Sequence, residues 1–379
     1  MVEEHSQEIA QKAERDYKYV IRLTCLAILI TLSMEWRNFL PGFRHPLLTL
    51  VPLYEPLATL PSSVDTTILV FCIILLVWLF ITPLERLPAF GISAIIIFWG
   101  IQDIVRFQPW FHMFCFVTLV AAFCKYPQFG LNALRIMVCG VYFWAGFHKL
   151  NMTFFTNVMP WFLAPIYHPE FDWLFKLAAF ITPFFEAGIG ILLLFKRWRF
   201  VATLMAFTML IMVFVCLGPY GRSWGTVIPL WNIWLFLMEL RLFLSPTLRE
   251  NAALIDYKFE KMSVISTVMF VIAPTIAIFV PAYGRLGFKI FSGNTITAQI
   301  ILAPEESLSQ RRFLFKGMVK KDNRLAFKVP IYHTEYAYHM RGRAIYPYLD
   351  YPSDAKLRIY SPPPFYSRQS EYTDVALFP

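Results

Sequence analysis

The sequence predicts an all-α polytopic membrane protein of about nine transmembrane helices, with a small β-rich C-terminal extramembrane domain. Three observations carry that expectation. The 379 residues are 58% hydrophobic and only 16% charged, whereas a soluble globular chain is nearer a quarter charged. Apolar runs of membrane length recur between residues 19 and 283, and a spanning helix needs ~20 mostly apolar residues, ~17 at the least. Beyond residue 283 the chain changes to short segments rich in β-branched and aromatic residues, the composition of strands.

Taken in order, residues 1–18 form a polar N-terminal segment. Glu3, Glu4 and Glu8 open it, unlike a cleavable signal peptide, which starts basic and turns apolar at once. The helical transmembrane domain is expected over 19–283. Its candidate spans are 19–34, 66–83, 88–106, 109–124, 131–149, 173–195, 198–217, 225–244 and 262–283. Turn signals separate several of them, such as Pro83 with Pro88, and Gly218-Pro219-Tyr220-Gly221. The loops 35–65 and 150–172 are long, aromatic and proline-containing, suited to lidding a cavity. In 284–379, strands are expected at Thr297–Ala303, Arg312–Lys316, Leu325–Ile331 and Lys356–Tyr360. Pro362-Pro363-Pro364 interrupts any later regular element.

Charge placement sets an expected orientation. With the N-terminus cytoplasmic, the inner side holds Lys12, Arg15, Lys18, Arg22, Arg86, Lys125, Lys196, Arg197, Arg199, Arg241, Arg249, Lys258 and Lys261. The outer side holds Arg37, Arg44, Arg106, Lys149, Lys176 and Arg222. Thirteen against six is the direction that membrane orientation requires. An odd number of spans then puts the C-terminal domain in a periplasmic, lumenal or extracellular space. The net charge of +9 is spread over short loops and forms no basic stripe, so nucleic acid is excluded as a partner. The six cysteines fall in or at the ends of apolar segments without zinc or CxxC spacing, and read as small buried apolar residues.

Polar residues within the apolar runs are the candidate site, because an ionisable group at membrane depth is costly unless paired or wetted. Asp103 and Arg106 end the third span; Gln108, Trp110 and His112 begin the fourth; His148 and Lys149 end the fifth. Asn232 lies ~10 Å into the eighth span and Glu186 ~20 Å into the sixth, near the midplane, at 1.5 Å per residue. Asp103 and Arg106, three apart, can pair with each other. Arg106 and Lys149 can alternatively snorkel to headgroups. Glu239 with Arg241 reads as interfacial. His112 and His148 lack a third ligand at diagnostic spacing, so no metal is expected.

The segment Tyr142-Phe143-x-Ala145-Gly146-x-x-Lys149-Leu150-Asn151 resembles the active-site lysine segment of vitamin K-dependent γ-carboxylase and its HTTM relatives. It also resembles the aromatic-Ala-Gly-x-x-Lys-Leu pattern of DoxX-like membrane proteins. Gln108-Pro109-Trp110-Phe111 is similar to a Gln-Pro-Trp stretch of DoxX-like relatives, and Ser292-Gly293-Asn294-Thr295 to the start of their outer domain. The similarity covers about 90–300. It implies a helical cavity opening outward, with Lys149 as the base that deprotonates a quinone-type substrate. His148 stands where the carboxylase has a second lysine, and its catalytic histidine has no match at Gln108-Pro109-Trp110.

Two functions of different class follow. One is an enzyme acting on a lipid-soluble quinone or related isoprenoid, with Lys149, His148 and Asp103 catalytic. Arg106, Gln108, His112, Trp110, Asn232 and Glu186 would then bind substrate. The other is a non-catalytic accessory subunit of a larger membrane complex. It would contact membrane lipids through its helices and other subunits through the C-terminal domain, where Tyr332, Tyr336, Tyr338, Tyr346, Tyr348 and Tyr351 suit an interface. A transporter is a third reading: Glu186 suits proton coupling, but the chain carries no internal repeat. Asn151-Met152-Thr153 is a glycosylation sequon on the expected outer side.

Overall fold

The computed structural model describes residues 2–40, 54, 56–57, 60–103, 106, 108–218, 221, 227–245 and 261–279, and five strands between 297 and 376. The helical part comprises α1 (Val2–Phe39), α2 (Ser62–Ile81), α3 (Arg86–Gln102), α4 (Pro109–Phe123), α5 (Pro127–Phe147), α6 (Met159–Leu163), α7 (Asp172–Leu194), α8 (Arg199–Leu217) and α9 (Val227–Leu244). It continues as α10 (Lys261–Thr267) and α11 (Ala273–Phe279), joined by a single wide turn over Val268–Ile272.

Among the described residues, six helical stretches are long and apolar enough to cross a membrane: Ala10–Trp36, Ser62–Ile81, Pro127–Phe147, Pro169–Leu194, Lys196–Leu217 and Val227–Leu244. Arg86–Gln102, Pro109–Phe123, Phe154–Ile166 and Lys261–Ile276 are apolar but shorter. The outer faces of the long helices carry large apolar groups, such as Phe71, Ile74, Phe180, Phe184, Phe200 and Leu204. A soluble surface would not expose apolar area on that scale. The chain is an integral membrane protein.

The first expected boundary changes. Residues 1–18 are not a segment apart from the first span, because Val2–Phe39 is one helix with non-helical geometry at Glu35. The unbroken part before the kink at Glu35, residues 2–34, makes roughly 50 Å of helix, far more than a ~30 Å hydrocarbon core needs. The polar N-terminal turns therefore run beyond the apolar body. The last expected span, 262–283, is helical without a break over 261–279, with the wide turn inside it, and its final four residues lie outside the described residues. The boundary between the helical and C-terminal domains, at 283–284, lies outside the described residues.

Helix α5 is the centre of the body. It packs against α1, α4, α7, α9 and α10, and 72% of its apolar window is buried, against 28% for α2 and for α8. Small residues let the backbones approach. A Cβ on Gly146 would stand 2.3 Å from the Ala187 nitrogen, and one on Gly190 would stand 2.5 Å from the Cys139 oxygen. On another face, a Cβ on Gly140 would stand 2.3 Å from the Phe270 oxygen, so the wide turn seats directly on α5. Close small-residue contact of this kind substitutes for the hydrophobic drive that lipid cannot provide.

Polar tethers complete the packing. Ser93 Oγ donates to Thr118 Oγ1 at 2.8 Å between α3 and α4. Ser266 Oγ donates to the Ala133 oxygen at 2.7 Å, and Trp234 Nε1 donates to Thr24 Oγ1 at 3.2 Å between α9 and α1.

The strands are β1 (Thr297–Pro304), β2 (Val319–Lys321), β3 (Arg324–Val329), β4 (Lys356–Tyr360) and β5 (Tyr372–Ala376). They form one antiparallel sheet in the order β2-β3-β1-β4-β5. Central β1 pairs Ala298 with Val329 on one side and with Ile359 on the other. The expected strand at 312–316 and the six interface tyrosines lie outside the described residues.

Candidate functional site

Two polar sets are built from different helices. The first joins α5 to α7. Helix α5 ends at Phe147 with His148 as its C-cap, and the Lys149 amide closes the turn by donating to the Gly146 oxygen at 3.0 Å. That turn presents the Lys149 ammonium to Glu186 of α7, and the two form a direct hydrogen-bonded ion pair. Both side chains are largely enclosed, at 12% and 9% exposure. Glu186 is level with the last turn of α5, because Gly146 packs between Pro183 and Ala187. Counting along each span separately sets the two residues at different depths; the contact puts them at one level.

The second set joins α2 to α3. Asp65, buried in the first turn of α2, accepts from Gln102 Nε2 at 2.7 Å. Gln102 Oε1 in turn accepts from Arg106 Nη1 at 2.6 Å. Arg106 Nε lies 3.9 Å from Asp103 Oδ2, and its guanidinium lies 5.3 Å from the centre of the Phe39 ring. Asp103 is extended, with φ −153° and ψ 108°, so α3 stops at Gln102 rather than running to 106. All four polar side chains are buried. Of the two readings open for Arg106, internal pairing is the one found.

The remaining candidates have local roles. Gln108 precedes α4, and its carbonyl accepts from the Phe111 and His112 amides at 2.9 and 3.2 Å. His112 is buried in the first turn of α4. Trp110 packs against Trp231, with ring centres 6.2 Å apart. Asn232 donates to the Ile228 oxygen of its own helix at 2.9 Å. The His148 ring lies 5.5 Å from that of Trp144. Among the described residues, no group of three His, Cys, Asp or Glu is placed to hold a metal ion.

Asn151 ties together the turn that follows α5. Its Nδ2 donates to the His148 oxygen at 2.9 Å and its Oδ1 accepts from the Phe154 amide at 2.9 Å. The sequon asparagine is thus buried and fully engaged.

Sequence reasoning missed Asp65 and Gln102. Glu239, read from the sequence as interfacial with Arg241, is fully buried within the protein, within interaction range of Tyr142 and Thr203. Arg241, its expected companion, instead pairs with buried Asp16 of α1 at 2.7 Å. Ser245 Oγ donates to the other oxygen of Asp16 at 2.7 Å. The available signal was a carboxylate in or beside an apolar run, but its partner lies on or just after another helix, 37 residues away for Asp65 and 229 residues away for the Asp16–Ser245 contact.

Residues 127–229 match the family model of methylamine utilisation protein MauE. That stretch covers α5 to α8 and the start of α9. No carboxylase-like HTTM or DoxX family model matches, so the expected resemblance is corrected. The physical reason is visible in the motif. Ala-Gly-x-x-Lys here specifies a close helix contact at Gly146 and an ion pair at Lys149, features that any tightly packed helix pair can share. No curated protein matches the chain. No solved structure matches it either.

Proposed function

We propose that this chain is a non-catalytic accessory subunit that supports another protein in the same membrane. One observation carries the reading: the charged groups Lys149, Glu186 and Arg106, marked for chemistry, are spent on internal pairing. A general base needs an available lone pair within reach of a substrate proton, whereas the Lys149 amine is held by Glu186. Arg106 is likewise tied to Gln102 and Asp103. The match to a methylamine utilisation protein over α5–α8 falls on the helices that the Lys149–Glu186 pair clamps. On this reading the chain serves a process of that kind by assembly rather than by turnover.

The topology that goes with the proposal has nine crossings, a cytoplasmic N-terminus and residues 284–379 on the opposite side as the partner-facing region. The test is native electrophoresis and cross-linking of membranes solubilised in mild detergent. A species larger than the free chain, lost on deleting 297–379, is expected. Migration solely as a monomer overturns the proposal.

A second reading has one observation in its favour. The Lys149–Glu186 pair keeps some exposure, so a lipid-soluble quinone or related isoprenoid could reach it. Quinone that co-purifies with wild type but not with Lys149→Met would support that reading over the first.

A further inference from the structure

The opposite end of the body from Lys149 carries a basic groove that the accessory role does not use. Its cavity, about 310 Å³, is lined by Gln11, Glu14, Arg15, Lys18, Tyr19, Arg22 and Arg241. Six of the seven lie on α1 at steps of three or four residues or their neighbours, so they share one helix face. The other face of that helix, Ala13, Asp16, Tyr17, Val20 and Ile21, is buried. The groove therefore runs along the outer side of α1 beside the last turn of α9.

Four cations and one carboxylate line this groove; Glu14 pairs with Lys18 at 2.5 Å and Asp16, from the buried face of α1, pairs with Arg241, which leaves Arg15 and Arg22 in excess. Two of the cations are fixed by the fold. Arg22 Nε donates to the Phe80 oxygen at 3.0 Å at the C-terminus of α2. Arg241 is held by Asp16 at 2.7 Å, with its guanidinium 5.1 Å from the Tyr19 ring centre. Arg15 is exposed and has no ion-pair partner among the described residues. The level is also defined. Arg22 reaches the last residues of α2, and Arg241 lies one turn from the end of α9. Both mark the plane where apolar helices give way to water.

We propose that this groove binds a phosphate-bearing anion at the membrane face. Guanidinium groups match phosphate oxygens with paired donors. A cluster of cations where spans end is placed to meet anionic headgroups, and the apolar sides of α1 and α2 would lie along the acyl chains. The same donors would take free inorganic phosphate, and the two sources differ only in the tail.

The experiment uses the full chain, delipidated in mild detergent and titrated with dihexanoyl phosphatidylglycerol, dihexanoyl phosphatidylcholine and inorganic phosphate. The variant is Arg15→Gln with Lys18→Gln, two side chains outside the helix contacts, with its fold checked by circular dichroism and elution volume. Phosphatidylglycerol should bind in preference to the zwitterionic lipid, and the double variant should weaken it about thirtyfold. Inorganic phosphate binding with the same loss in the variant supports the site with a soluble source. Equal binding of the two lipids, or anion affinity untouched by the variant, overturns the proposal. So does capture of an acidic peptide by a protein that binds neither phosphate ligand.

Discussion

Replacing Glu186 and Lys149 singly and together tests whether their contact is the structural clamp described above. In Lys149→Met the Glu186 carboxylate, at 9% exposure, keeps its charge demand and loses its partner. Removing one member of a buried pair costs ~3–5 kcal/mol. Glu186→Leu should cost less, because Lys149 sits in a turn beyond the end of α5 and its long side chain can swing toward the nearby membrane face. The double variant Lys149→Met/Glu186→Leu removes both charges while roughly conserving volume, and should be neutral or stabilising by ~1–4 kcal/mol. The coupling energy is then about 3 kcal/mol or more, well above the ~1 kcal/mol ceiling of an exposed pair. Equilibrium unfolding of the full chain in mixed micelles with increasing SDS gives all four values. Coupling below ~0.5 kcal/mol, the level of independent sites, would refute the clamp. Loss of complex formation in a stable double variant would show that the pair serves assembly as well as packing.

The other predictions are shorter. Gly190→Ala should lower stability by ~1–3 kcal/mol through overpacking, because the new Cβ would stand 2.5 Å from the Cys139 oxygen. Gly188→Ala, whose nearest neighbour is Met205 Cε at 3.7 Å, should be neutral or slightly stabilising; thermal midpoints in detergent check both. Gln102→Leu should destabilise by about 1–3 kcal/mol, since it removes the donor to the Asp65 carboxylate and the nearer acceptor of Arg106 Nη1. Expressed through a eukaryotic secretory pathway, Asn151 should stay unglycosylated, and endoglycosidase treatment should not shift mobility. A shift would show that the 148–154 turn opens.

What the sequence made legible is what hydropathy and local periodicity control. The ends of α2, α4, α7, α8 and α9 fall within about four residues of their expected positions, because Pro61, Pro109 and the Gly218-Pro219 turn punctuate apolar runs. The errors came where tertiary contact decides. The wide turn at Val268–Ile272 has no proline or glycine of its own, and Gly140 on a distant helix receives it. Lys149 was recognisable as unusual, but its partner was not, since Glu186 was assigned a different depth. Asp65 was overlooked because it sits in the first turn of an apolar helix, where a carboxylate is ordinary.

Packing alone would not require charge between α5 and α7, and that is the reason the pair matters. Small residues at Gly146, Ala187 and Gly190 allow close approach, yet a stripe of small residues tolerates sliding. A shift of one turn is ~5.4 Å, and apolar contacts could re-form after it, whereas Lys149 and Glu186 could not remain paired. A buried polar pair is best attested as a device that fixes register. The apolar double variant should therefore keep or raise its unfolding midpoint but unfold over a broader range, as a mixture of registers. Disulfide trapping between cysteines placed at Phe143 and Leu193, away from the pair, should then spread to the neighbouring turn of α7. A double variant with a sharp transition and a single trapped register would show that the glycines alone set the alignment, and would remove the structural reason for keeping an ion pair there.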